Sequence, residues 1–182
     1  PSIKISNMSE VFLITERLLL REFTEADIDL IFRLDSNPKV MEFLRPPTTT
    51  MEEANATYQK ILNTRKKDIR FGNWVGISKS DNQPIGWFCL KDLDNTSTIE
   101  VGFRLLPEFW GNGYATEGAK ALIKYGFELC QLPLIAGVTK PENIRSKNAL
   151  QKCGLKFLRN DYIYETQVHY FEISVTDYKA TQ

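Results

Sequence analysis

The sequence predicts an α+β domain: one central, mostly antiparallel sheet of six to seven strands, flanked by about four helices. Three observations carry that expectation. TIEVGFRLL (98–106) alternates cleanly, with Ile99, Val101, Phe103 and Leu105 facing one way and Glu100, Gly102 and Arg104 the other. Apolar residues then recur at helical spacing, at Ala115, Ala119, Leu122, Ile123, Gly126 and Leu129. Between the two lies FWGNGYATEG (109–118), with three glycines in ten positions at the entrance to that helix.

The other elements follow in order. ITERLLLREF (14–23) is β-rich, with Leu18 and Leu20 alternating against Leu19 and Arg21. Thr24 reads as an N-cap with Asp27 in the first turn, and Ile28, Ile31, Phe32 and Leu34 give a short helix stopped near Asn37-Pro38. RPPTTTMEEANATYQKILNTRKK supplies a Pro-rich loop, a capping Thr and a second helix with a long polar face. NWVGISK (73–79) and PIGWFCLKDL (84–93) are strands joined by the turn signal SDNQ. LIAGVTK (134–140) is another strand, and ENIRSKNALQKCG is a shorter helix ended by Gly154. The tail, LKFLRNDYIYETQVHYFEISVTDY, reads as two strands turning near 159–161 or near 165–167. Residues 1–10 read as a leader, disordered, with Met8 a candidate start; 11–178 form the domain.

Composition narrows the function classes. With 23 Lys+Arg against 23 Asp+Glu, the chain lacks the basic footprint of a protein that grips nucleic acid. Arg65-Lys66-Lys67 is the densest basic run and reads as a solvated helix end. Cys89, Cys130 and Cys153 are odd in number and far apart, which suits reduced thiols in the cytoplasm. A single histidine, His169, argues against a Cys/His metal site and reads as structural, so no metal is expected. No apolar run has the length of a membrane span, so no membrane partner is expected. Trp74, Trp87 and Trp110 read as core or cleft wall.

A helix N-terminus leaves about four N–H groups unpaired and carries roughly half a positive charge, so it receives a phosphate without needing a lysine. Gly111, Gly113 and Ala115 leave room for close approach there, whereas Gly118, a turn into the helix, suits close helix–sheet packing. A nucleoside triphosphate loop of the GxxxxGK[ST] type is absent. A dinucleotide fingerprint fits poorly: Thr116 stands at its third position, and Pro107 separates strand from turn. Coenzyme A, with its pyrophosphate on the turn and its pantetheine along a strand edge, is the third reading. A glycine-rich connection without ligand is compatible with the turn alone.

IEVGFRLLPEFWGNGYATEGAKALIKYGFE resembles the central motif of the GNAT superfamily of N-acetyltransferases. The family pattern, [Q/R]-G-x-G-x-[G/A] opening a long helix, maps onto Trp110, Gly111, Asn112, Gly113, Tyr114 and Ala115, with Trp110 departing from the usual Gln or Arg. VTKPENIRSKNALQKCGLKF is similar to the family's N-x-x-S…K-x-G-F segment, through Asn143, Ser146, Lys152, Gly154 and Phe157. The string PEFWGNGYATE and the opening TERLLLREFTEAD resemble the RimJ/RimL branch of ribosomal-protein N-terminal acetyltransferases.

The resemblance implies a sheet splayed between strands four and five, and acetyl transfer from acetyl-CoA to a primary amine by direct attack. The acceptor would be a ribosomal-protein or other peptide N-terminus, or a small amine, and the protein a monomer or homodimer. It implies that the backbone of Phe103 and Leu105 pairs with pantetheine, with Arg104 between them. The N–H groups from Gly111 through Asn112, Gly113, Tyr114, Ala115 and Thr116 would hold the pyrophosphate, with Asn143 both an N-cap and a coenzyme contact. Ser146 would donate to the departing thiolate; Leu150 and Gln151 stand where many members place a tyrosine. Glu100 and Glu165 are the candidate bases. An α-amino group of pKa about 8 costs about 1.4 kcal/mol to deprotonate at pH 7, and a lysine about 4.6 kcal/mol, so an N-terminal acceptor needs only a modest base. Phe43, Arg45 and Pro46-Pro47 would line the acceptor site. The alternative is a non-catalytic CoA-binding or regulatory module on the same fold.

Overall fold

The computed structural model describes residues 11–94 and 96–181; the expected leader lies outside the described residues. The order is β1 (Val11–Ile14), β2 (Leu18–Arg21), α1 (Ile28–Asp35), α2 (Pro38–Met41), α3 (Met51–Lys67), β3 (Gly72–Ser78), β4 (Pro84–Asp92), β5 (Ile99–Leu105), α4 (Tyr114–Glu128), β6 (Leu134–Thr139), α5 (Ile144–Lys152), β7 (Lys156–Ile163), β8 (Thr166–Ser174) and α6 (Val175–Lys179). The eight strands form one sheet, ordered β1-β2-β3-β4-β5-β6-β8-β7, with every neighbouring pair antiparallel except β5–β6.

The strand count exceeds the expected six to seven because Val11–Ile14, ahead of the first β-rich segment, is a strand of its own. Thr15 turns the chain back: its hydroxyl accepts from Leu18 N–H at 2.9 Å, and Val11–Ile14 pairs with Leu18–Arg21. The short helices α2 and α6 raise the helix count beyond four. Asn37 caps α2, accepting from Lys39 N–H at 3.0 Å, and Pro38 opens it.

The strand faces follow from the alternation. Leu18, Leu20, Phe88, Leu90, Val101 and Leu105 pack against Ala119 and Leu122 of α4. Val75 and Ile77, on the other face, meet Leu30, Ile31 and Leu34 of α1 and Tyr58 of α3. Every residue of β3 is buried, as befits a strand covered on both sides. A Cβ on Gly118 would fall on the Phe88 ring, so glycine there lets α4 lie directly on the sheet. Gly154 takes φ +92° and ends α5.

The basic run is less simple than a solvated helix end. Arg65 ion-pairs with Glu22, and its guanidinium also donates to Ile69 O at 2.8 Å. Asp27 does more than its first-turn position implies. It accepts two hydrogen bonds from Arg21, at 2.7 and 2.8 Å, and one from Thr24 N–H at 2.8 Å.

One discontinuity positions everything that follows. β5 and β6 pair at Glu100–Ala136 alone, and beyond that rung the two strands diverge.

Candidate active site

The divergence leaves part of β5 without a protein partner. Leu106 N–H donates to Ile85 O at 2.9 Å, while Leu105 lies opposite Gly86 and Phe103 opposite Phe88. In an antiparallel ladder that parity turns the N–H and C=O of Phe103 and Leu105 away from β4, toward the gap. A cleft of about 800 Å³ opens there, walled by β5, the glycine turn, α5 and the loop after α2.

The glycine turn closes one end. Gly111 and Gly113 take φ +77° and +82°, and Gly113 is the N-cap of α4 in the left-handed region. Glu117 N–H makes the first helical bond, to Gly113 O at 3.0 Å. Among the described residues, the N–H groups of 111–116 donate to no protein acceptor. They are a row of main-chain donors at a helix N-terminus, and nothing lies within 4 Å of where a Gly111 Cβ would stand.

Arg17 braces this turn from the connection between β1 and β2. Its Nη1 donates to Asn112 O at 2.8 Å, its Nε to Glu117 Oε2 at 2.6 Å, and its guanidinium stacks 4.6 Å from the Tyr114 ring centroid. Glu117 Oε1 also accepts from Thr15 Oγ1 at 2.6 Å and from Arg17 N–H at 2.8 Å. Behind the turn Arg17, Lys120 and Lys152 line a second hollow of about 400 Å³, which shares Gly113 and Thr116 with the cleft. Trp110 donates its indole N–H to Leu105 O at 2.8 Å, taking one lone pair of a carbonyl expected to face the pantetheine. Arg145 stacks on Trp110 at 4.1 Å, so a cation from α5 stands beside the position where the resembling pattern carries Gln or Arg.

The α5 wall matches its motif. Asn143 caps the helix through Oδ1, which accepts from Ser146 N–H at 3.1 Å. Asn143 and Ser146 both line the cleft, and the Ser146 hydroxyl bonds to no described residue.

Glu100 is buried at the sole β5–β6 rung and lines the cleft. Both hydrogen bonds it accepts go to Oε1: one from Lys91 Nζ at 2.7 Å, one from the Tyr164 hydroxyl. Lys91 Nζ also donates to the Tyr164 oxygen at 3.0 Å, as does Asp94 N–H at 3.0 Å. Burial, then the Glu100 carboxylate, pushes the Tyr164 hydroxyl up to about 12, so it donates at neutral pH. Burial opposes the Lys91 charge, yet Cys89, Glu100 and Tyr164 outweigh it and raise the ammonium above its ordinary range. Since burial pushes the Cys89 thiol up to about 12, that group is neutral at pH 7, and Glu100 is the effective partner there.

Of the expected site residues, Glu165 lies outside the cleft and Arg104 lines it with its side chain turned to the α1 face. Glu165 is exposed at the tip of the β7–β8 hairpin and does not line the cleft. The turn is Tyr164-Glu165, with φ +53° and +57° between the paired Ile163 and Thr166, the signature of a two-residue type I′ loop. Its first residue, not its second, reaches the cleft. Arg104 does line the cleft, but its side chain lies on the α1 face, ion-paired with Asp35 and stacked 4.8 Å from the Trp87 ring centroid. Arg45 Nη2 reaches the other Asp35 oxygen at 2.7 Å. Phe43 lines the same wall; Pro46-Pro47 does not.

His169 packs against Phe157 at 5.0 Å, edge to face, consistent with a structural role. Trp74 is fully buried, stacked on Phe12, whereas Trp87 and Trp110 are cleft wall.

Comparisons with known proteins identify the family and the fold. Residues 17–156 match the model of the acetyltransferase (GNAT) domain. FsC-acetyl coenzyme A-N(2)-transacetylase of Aspergillus fumigatus is 33% identical over 152 residues, covering 78% of this chain; the chain spans 63% of that relative's length. The spermidine N-acetyltransferase of Vibrio cholerae, solved with CoA and spermine, superposes with a TM-score of 0.74 over 91% of this chain and 99% of its own, at 20% identity. RimL, a ribosomal alpha-N-protein acetyltransferase solved with coenzyme A, gives 0.77 over 91% and 98%, at 15% identity. At those identities the two structures share the fold with this chain.

Proposed function

The chain belongs to the GNAT acetyltransferase family, and from that premise we propose that it moves the acetyl group of acetyl-CoA onto a primary amine by direct attack. The observation that carries this reading is the row of unpaired N–H groups at 111–116, set beside a strand whose Phe103 and Leu105 main chain faces the gap. Those groups take the pyrophosphate, with Arg17, Lys120, Lys152 and Arg145 as the surrounding positive charge. Phe103 and the Leu105 N–H take the pantetheine amides.

The transfer asks three things of this chain. The acceptor nitrogen must be neutral, and Glu100 is the acceptor for its proton, directly or through water. Oε1 is committed to Lys91 and Tyr164, which leaves Oε2 for that task. The nitrogen then bonds to the thioester carbon, the C–S bond breaks with its electron pair on sulfur, and the second proton shed by the nitrogen passes through solvent to that sulfur, giving the free CoA thiol. The Ser146 hydroxyl donates to that sulfur as its charge grows. Lys91 and Tyr164 are positioning residues that fix the carboxylate, and Glu165 has no part. The finer resemblance, to the RimJ/RimL branch, favours a peptide N-terminus as acceptor. The three free cysteines and balanced charge favour a reducing, cytoplasmic setting.

Thermal shift tests the donor. Acetyl-CoA at a hundred times its Kd should raise Tm by about 5–11 °C, while NAD and ATP should not. Thiol release should then be measured over N-terminal peptides, polyamines, aminoglycosides and amino acids. Stabilisation without turnover on any amine would replace the transferase with a non-catalytic carrier-binding module; stabilisation by NAD or ATP alone would sink both.

A further inference from the structure

The acceptor half of the cleft holds a positive charge that the transfer chemistry does not use. Asp35 is fully buried, and its two oxygens are divided between Arg104 and Arg45. Within the cleft wall one carboxylate is shared by two guanidiniums; Glu53 also feels the Arg45 charge but does not line the cleft, and Lys39 adds a further cation on the same wall. The Arg104 side chain is only 16% exposed, so its charge is poorly served by water. Its Nε is buried without a partner, and its Nη2 donates to no described residue. Burial pulls this guanidinium below its ordinary range in spite of Asp35, as expected for a cation short of counter-charge. Among the described residues, Glu100 is the one acidic side chain that lines the cleft, and it is already paired with Lys91.

The spacing is set by β5. Glu100, Gly102 and Arg104 occupy successive positions on one face, opposite Lys91, Cys89 and Trp87 of β4. Gly102 lies between the carboxylate and the guanidinium, and a Cβ there would meet the Cys89 sulfur at 2.9 Å. At about 3.3 Å per residue, Arg104 stands about 7 Å along the strand from Gly102 and about 13 Å from Glu100.

We infer that the acceptor is an anionic amine: a molecule whose reacting nitrogen lies over Glu100–Gly102 and which carries a carboxylate or like anion about 7–13 Å away, held by Arg104 and Arg45. A short acidic peptide has this form; a polyamine places a cation where the wall is already positive. The inference rests on the transfer reading for the place of the nitrogen, but its test does not need turnover.

The test is calorimetric titration of the CoA-loaded protein with the amidated tripeptides Ala-Gly-Asp, Ala-Gly-Asn and Ala-Gly-Lys, and with spermidine. The Asp peptide should bind at least about tenfold more tightly than the Lys peptide, with Asn between, and salt should narrow the gap. Arg104→Gln should bring the Asp and Lys peptides within about threefold. Should that variant fail to fold, Arg45→Gln, at a half-exposed side chain, should narrow the same ratio. Equal or tighter binding of the Lys peptide or spermidine, no binding by any peptide, or a ratio unmoved in every variant that folds would overturn the inference. Thiol release measured in parallel separates the two readings. A charge preference without turnover removes the transferase and leaves the anion-binding site. Turnover that prefers the Lys peptide does the reverse.

Discussion

The two ends of the cleft are built from different materials. The donor end is main chain: a row of N–H groups at the start of α4 and the gap-facing backbone of β5. The acceptor end is side chain: Glu100 with Lys91 and Tyr164, and Asp35 with Arg104 and Arg45. The difference teaches where each end is vulnerable. A main-chain receptor is indifferent to most side chains but intolerant of anything that alters φ. A side-chain receptor is the opposite, since one lost atom removes one interaction and leaves its partner exposed to the cost of burial.

The largest expected effect tests the first half of that contrast. Gly113→Val places a branched side chain at φ +82°, facing the Arg17 guanidinium and the N–H row. Acetyl-CoA affinity measured by calorimetry should fall about a hundredfold or more. Unchanged affinity would mean that the turn does not receive the donor, and the contrast would collapse.

A smaller effect tests the second half. Tyr164→Phe removes one hydroxyl from Glu100 while keeping the ring, and should lower kcat about tenfold with acetyl-CoA affinity within about twofold of the parent. The split between kcat and acetyl-CoA affinity supplies the discriminating readout. Equal loss of donor affinity would mean that the two ends are not separable.

The smallest effect lies beneath the donor end, where side chains support the main chain. Burial would raise the Glu117 pKa, but the Thr15 hydroxyl and the Arg17 main-chain and side-chain donors overcome it and hold the carboxyl below its ordinary range. A depressed folded value stabilises above the unfolded pKa of about 4.3, and that contribution disappears as pH falls through the folded value. Glu117→Gln should therefore lower Tm by about 2–4 °C at pH 7, from about 1 kcal/mol, with the gap closing below about pH 4. A gap constant across that range would show that the brace works by shape and not by charge.

The same contrast explains what could be read in advance. Strand faces and the glycine turn are local: alternation placed Val101 and Leu105 on the α4 side, and Gly118 against the sheet, from neighbours a few residues away. The donor end inherits that legibility, because its donors follow from where a helix begins. The acceptor end joins distant segments. Lys91, Glu100 and Tyr164, or Asp35, Arg45 and Arg104, meet only once the sheet has formed. Glu165 sits one residue away from the hairpin position that lines the cleft, for a local reason. The turn takes two left-handed residues that are neither Gly nor Asn, so Tyr164-Glu165 carries no ordinary turn signal and the hairpin's tip could not be fixed. The additional strand Val11–Ile14 likewise hinges on a turn held by a single threonine hydroxyl, which no periodicity records.

The hairpin that carries Tyr164 also acts as a ruler. Past a one-residue shift between Phe157 and Arg159, its two arms stay in register up to Ile163 and Thr166, so the loop length fixes how far the phenol projects toward Glu100. Side chains alternate sides along a strand, and a gain or loss of one residue in β7 would swing the ring out to the solvent side. Among kindred chains, a hairpin of another length would have to find another hydroxyl or leave its carboxylate unattended, and a change of acceptor could begin with a shift of that size.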